Sequence, residues 1–111
     1  DLNHNERKLA DFLSGTDSSY FLIFQINDCY SCIYKGLEEI RHLKKAGKIS
    51  LAVMVNDYID EVKSYSAAHD YPDCLMLKRI DFYEYVKCPA TPVLVKIKKG
   101  NVQNYKYISA N

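Results

Sequence analysis

A run of apolar residues, Phe21-Leu22-Ile23-Phe24, passes through Gln25, Ile26, Asn27 and Asp28 into Cys29-Tyr30-Ser31-Cys32. Apolar side chains on both faces, without the alternation of a half-exposed strand, mark Tyr20 to Ile26 as a central parallel strand covered on either side. The stretch after the cysteines is helical in pattern. Ile33, Leu37, Ile40 and Leu43 recur at helical spacing, Lys35, Glu38, Glu39, Arg41, Lys44 and Lys45 fall elsewhere, and Gly47 is a natural stop. The two cysteines therefore stand where a buried strand hands over to a helix.

Two thiols three positions apart lie about one helical turn from each other and close a small disulfide with little backbone movement. At a helix N-terminus the unsatisfied N–H groups and the dipole stabilise a thiolate, so Cys29 has the position of a nucleophile and Cys32, one turn inward, that of the resolving thiol. The same spacing suits a metal, but a tetrahedral zinc site wants four ligands, usually as two close pairs, and Cys74 and Cys88 are too far apart to make a second pair. Three readings stand: a redox pair, a permanent structural disulfide, and half of a metal site. The strand-to-helix context favours the first.

Asp28 reads as the cap of this helix, although its charge opposes a thiolate at Cys29. Tyr30 lies inside the motif, where its ring lines a substrate groove. Cys74 and Cys88 either bridge each other, for up to about 3 kcal/mol in the chain-entropy model, or remain two buried thiols. His4, His42 and His69 have no ligand-like spacing with the cysteines and read as surface or helix-end residues.

Elsewhere, Asn3 to Ser14 reads as a helix, with Asn3 and Glu6 as a capping box and Leu9, Phe12 and Leu13 as its stripe. Lys48 to Val55 is a second buried strand, and strand, helix, strand in this order implies a right-handed crossover and a parallel pair. Asp57 to His69 reads as the next helix, capped by Asp57, with Ile59, Val62, Tyr65 and Ala68 inward. The segment from Asp70 to Ala90 is the least decided: its pattern leaves Cys74 to Leu77 open between a short strand and a loop, and Phe82 to Val86 open to a helical turn. Val93, Val95 and Ile97 alternate with more polar neighbours, and the pattern resumes after Lys99-Gly100-Asn101, a β-hairpin with glycine supplying the unusual backbone angle.

The apolar strand, Cys29-Tyr30-Ser31-Cys32, the helix, the second strand, and Thr91-Pro92-Val93-Leu94-Val95 followed by Lys99-Gly100-Asn101-Val102 together resemble the thioredoxin-like superfamily, in its extracytoplasmic bacterial form. The expected fold is α/β, a four-stranded mixed sheet flanked by helices, whose strand order, 2-1-3-4, is what the resemblance implies. The sequence stops at Asn111, soon after the second hairpin strand, so the C-terminal helix that thioredoxins pack on the sheet is expected to be lacking. The resemblance implies that Cys29 and Cys32 exchange disulfides with protein substrates, and that Pro92 is cis beside them. Thr91, Pro92 and Tyr30 would border the substrate, whose extended chain pairs with the backbone just before the proline. It further implies a redox partner protein, with no cofactor and no metal. Many thioredoxins carry tryptophan where Asp28 stands and a buried acid where Ile23 stands, so the proton acceptor for the resolving cysteine is missing from this strand. That departure favours the competing reading, a redox-inactive thioredoxin-like binding module with a structural disulfide.

At 111 residues the chain, 1–111, is expected to be one domain. A net charge of +1 without a basic stripe gives no case for nucleic acid, and no apolar run approaches the roughly 20 residues of a membrane span. The chain begins at Asp1 rather than methionine, so a targeting segment or membrane anchor would lie upstream. Four cysteines fit an oxidising compartment, periplasmic or secreted, better than the cytoplasmic alternative.

Overall fold

The computed structural model describes residues 18–69, 74–86, 90–99 and 101–109. The expected helix over 3–14 lies outside these, as do Cys88 and Gly100.

Strand β1, Ser19–Phe24, has neighbours on both sides and layers above and below. Its side chains alternate between two apolar clusters, Phe21 and Ile23 entering one and Leu22 and Phe24 the other, which is why the sequence shows no polar face. After β1 come helix α1 (Tyr30–Lys45), strand β2 (Ile49–Val55), helix α2 (Ile59–His69) and strand β3 (Leu75–Leu77). A short helix α3 (Arg79–Asp81) runs into a π-helical turn, Phe82–Val86, before strands β4 (Val93–Lys98) and β5 (Asn101–Tyr107). The sheet order is β3-β2-β1-β4-β5, with β1, β2 and β3 mutually parallel, β4 antiparallel to β1 and β5 antiparallel to β4.

The sheet thus has five strands, not four. The extra one, β3, pairs Leu75, Met76 and Leu77 with Val53, Met54 and Val55 on the outer side of β2. Three apolar residues are too few for periodicity to separate a strand from a buried loop, and only the pairing decides. The other four keep the expected order.

Ile33, Leu37 and Ile40 of α1 are buried and Leu43 is half-buried, together with a residue the hydrophobic pattern leaves out, Gly36. A Cβ on Gly36 would stand 2.5 Å from Leu22 Cδ1 and 3.0 Å from Cδ2, so the helix backbone lies directly on the central strand. At its far end the Gly47 N–H donates to the Lys44 carbonyl at 3.0 Å and the Lys48 N–H to that of Leu43 at 2.9 Å. With φ of 81° at Gly47, this is a Schellman stop.

Helix α2 begins at Ile59, and Asp57 does not cap it. Buried Asn56 organises the start instead: its Oδ1 accepts the Tyr58 N–H at 2.8 Å and its Nδ2 donates to Glu61 Oε2 at 2.8 Å. Asp57 turns to α3, accepting the Arg79 N–H at 3.1 Å. Val62 is buried and Ile59 and Tyr65 partly so, but Ala68 is exposed. The helix meets the core along a narrow stripe, and one turn beyond Tyr65 the stripe passes to His69.

Among the described residues of the hairpin, Lys99 has a positive φ, 53°; Gly100, expected to supply the unusual angle, lies outside them. The register slips between Lys96, opposite Asn104, and Ile97, opposite Val102, leaving Gln103 as a bulge. Alternate residues of β5 reach opposite layers: Tyr105 Oη donates to the Val86 carbonyl at 2.5 Å, and Lys106 Nζ pairs with Glu39 of α1 at 2.7 Å. Among the described residues no helix comes after β5; Ile108 packs into the α1-side cluster.

Gly36→Ala is expected to lower the urea midpoint by about 1–3 kcal/mol of stability, because overpacking against Leu22 outweighs a helix-propensity gain of about 1 kcal/mol. Leu22→Ala destabilises on its own, by about 2–5 kcal/mol, but in the double variant the two losses should sum to less than their separate total, because the smaller side chain leaves room for the added methyl. A midpoint that rises in the single variant would refute the close contact.

Candidate active site

The chain leaves β1 at Phe24 and enters α1 six residues later through a tight turn. The Asp28 N–H donates to the Gln25 carbonyl at 3.1 Å, and Asp28 Oδ2 accepts the Gln25 N–H at 2.7 Å. Asp28 is therefore a clamp on this turn and not the helix cap. The cap position belongs to Cys29, whose φ of −53° and ψ of 122° are non-helical and whose carbonyl accepts the Ile33 N–H at 3.0 Å. No side chain caps the helix, so first-turn N–H groups that a capping oxygen would occupy face the Cys29 sulfur.

Cys29 is exposed, and its pKa lies below the ordinary thiol value. The main cause is a hydrogen bond from the Cys32 side chain to the Cys29 sulfur, helped by the backbone N–H groups of Cys32 and Ser31. Desolvation and the negative charge of Asp28 oppose them. Cys32 is half-buried, packed against the α1-side cluster. One turn of helix thus holds an outward thiol activated by an inward one.

Because β4 runs antiparallel to β1 with Val93 opposite Ile23, the residues before β4 lie beside those after β1. Gln25 Nε2 donates to Thr91 Oγ1 at 3.0 Å, tying the cysteine turn to Thr91. The Thr91–Pro92 bond is cis; Pro92 is buried and its carbonyl accepts the Ile108 N–H at 3.0 Å. Cys29, Cys32, Thr91 and Pro92 therefore gather at one end of the sheet.

Tyr30 is 55% exposed, with its ring centroid 5.4 Å from that of His69. His69 continues to Tyr65 at 4.3 Å, and Tyr65 to buried Phe24 at 5.8 Å. Sequence pattern makes His69 a helix-end residue; it is one, and the fold also sets it against the cysteine motif. The spacing of Tyr65 and His69, one helical turn, is visible in the sequence, but nothing there links either to Tyr30. Gln25 and Gly36 carry weak signals: a polar residue closing an apolar run, and a glycine inside a helix.

Cys74 stands apart as a buried free thiol whose Sγ lies 3.6 Å from the Leu75 carbonyl oxygen. Burial pushes its pKa up to about 12, against smaller downward effects of the Ser66 hydroxyl and the Met54 backbone. His42 is exposed in the last turn of α1. Among the described residues there is no cluster of metal-ligating side chains, and no helix is long and apolar enough to cross a membrane.

No family model matches the chain and no curated protein matches it in sequence. In structure it is similar to the pneumococcal exposed lipoprotein thioredoxin Etrx1 from Streptococcus pneumoniae strain TIGR4, with a TM-score of 0.65 and 17% identity over 89% of this chain and 78% of that one. The fold is thioredoxin-like, and it carries a C-x-x-C pair at the head of α1.

Two titrations probe the thiols. The pH at which iodoacetamide labels Cys29 at half its maximal rate should lie below that of an ordinary cysteine, move lower in Asp28→Asn and move higher in Cys32→Ala. Cys74, protonated in the fold but ionised in the unfolded chain above about pH 9.0, should cost stability as pH rises from there towards about 12. The protein should lose up to about 1.4 kcal/mol per pH unit more than Cys74→Ala does in that range, read from urea midpoints.

Proposed function

We propose that the chain is a thiol-disulfide oxidoreductase acting on protein disulfides. The observation that carries this is the exposed Cys29 thiol at an uncapped helix N-terminus, its pKa lowered by the thiol of Cys32. The Cys29 thiolate attacks one sulfur of a substrate disulfide; that S–S bond breaks, the other sulfur leaves as a thiolate and takes a proton, and a mixed disulfide forms. Cys32 then loses its proton and attacks the Cys29 sulfur, releasing the second substrate thiol and leaving a Cys29–Cys32 disulfide. Two electrons have passed to the substrate, and a partner dithiol restores the pair. Run in reverse, the same steps oxidise a dithiol.

Ile23 occupies the place of an acid on β1 and is buried in the apolar cluster away from α1, so it takes no proton. Cys32 is only half-buried, and water serves as its proton acceptor. The Thr91 hydroxyl accepts from Gln25, which holds this residue beside the cysteine turn, and its main chain there pairs with an extended substrate. The name of the structural neighbour, an exposed lipoprotein thioredoxin, supports an extracytoplasmic setting.

Cys29→Ser should reduce dithiol-dependent insulin reduction to background, and Cys32→Ser should accumulate a mixed disulfide visible on non-reducing gels. Undiminished turnover by Cys29→Ser would remove the reading. A potential below about −300 mV for the pair would instead favour a permanent bridge in a binding module.

A further inference from the structure

Tyr30 occupies the first position of α1, between the two cysteines, where a half-exposed ring would ordinarily turn freely in solvent. Here it does not stand alone. Its ring meets that of His69, inclined at 45°, and His69 meets Tyr65 at 4.3 Å and 36°. Tyr65 in turn packs near Phe24, which is fully buried at the end of β1. The series is anchored in the core and ends in solvent one residue from Cys29.

We infer that His69 is a positioning residue that fixes the Tyr30 ring as one wall of the site, and that this wall makes the site select polypeptide disulfides flanked by apolar or aromatic side chains over small hydrophilic ones. The inference rests on the oxidoreductase reading. What His69 touches is the Tyr30 ring, whereas the groups that shift Cys29 are Cys32, Ser31 and Asp28, so the inferred action of His69 is on the position of the ring. A fixed ring offers a substrate apolar area without the entropy cost of ordering a free side chain. Ile26, three residues before Cys29 in the same turn, is also exposed, at 46%.

The test compares the protein with His69→Ala and His69→Phe, using insulin and hydroxyethyl disulfide as substrates. In His69→Ala the ratio of kcat/KM for insulin to that for hydroxyethyl disulfide should fall about threefold to tenfold, as for one lost aromatic pair, through KM for insulin. The pH of half-maximal Cys29 alkylation should stay where it is, and His69→Phe should restore the ratio. An unchanged ratio, a loss shared equally by both substrates, or a failure of phenylalanine to restore it would overturn the inference. If the unaltered protein reduces neither disulfide, it is the oxidoreductase reading that fails. The wall is then judged by binding of reduced, carboxymethylated insulin B chain: weaker binding to His69→Ala than to the other two forms sustains it, and equal binding rejects it.

Discussion

The contact between the backbone of α1 at Gly36 and the side chain of Leu22 sets the position of everything at the site. Only the turn of residues 25–28 and the cap residue Cys29 separate β1 from α1, so wherever the helix settles on the strand, Cys29 is carried with it. Magnitudes show which force settles it. Burying side chains such as Leu22, Phe24, Ile33, Leu37 and Ile40 is worth about 1.5–3 kcal/mol each, whereas a charge at a helix terminus gains about 0.3–1 kcal/mol. Packing therefore places the sulfur, and electrostatics acts on it only once it is there.

That electrostatics is a balance of opposed effects. Asp28 is used by the backbone to close the turn, at a distance where its charge works against the thiolate one residue later. Because its carboxylate is turned back towards Gln25, the first-turn N–H groups remain for the sulfur, and with the Cys32 thiol they outweigh the carboxylate. The same residue type that caps many helices here frees the helix end by missing it by one position.

The edges of the sheet obey a different logic. β3 is three residues long, and β5 is broken by a bulge at Gln103 and carries Lys106 outward to Glu39. Short, irregular and charged edges of this kind discourage pairing with other chains, while the strands between them are buried. Reactive and buried thiols are likewise kept apart: Cys29 is open to solvent, whereas Cys74 lies inside with its proton held by burial.

Local signals carried the central strand, the helix with its glycine stop, the parallel pair, the hairpin and the roles open to two cysteines one turn apart. Each depends on periodicity or on residues a few positions apart, and such information is written along the chain. Three things required the folded molecule. Asp28 could not be separated from Cys29 as cap, because a shift of one residue depends on which way a carboxylate turns. β3 could not be told from loop until β2 paired with it. His69 could not be connected to Tyr30, nor Gln25 to Thr91, because those partners are distant in sequence and meet only when two helices and two strands pack at the same end of one sheet. The chain by itself determined which residues have the chemistry; tertiary packing decided which of them are neighbours, since contact between remote residues is a property of the whole fold and of no segment within it.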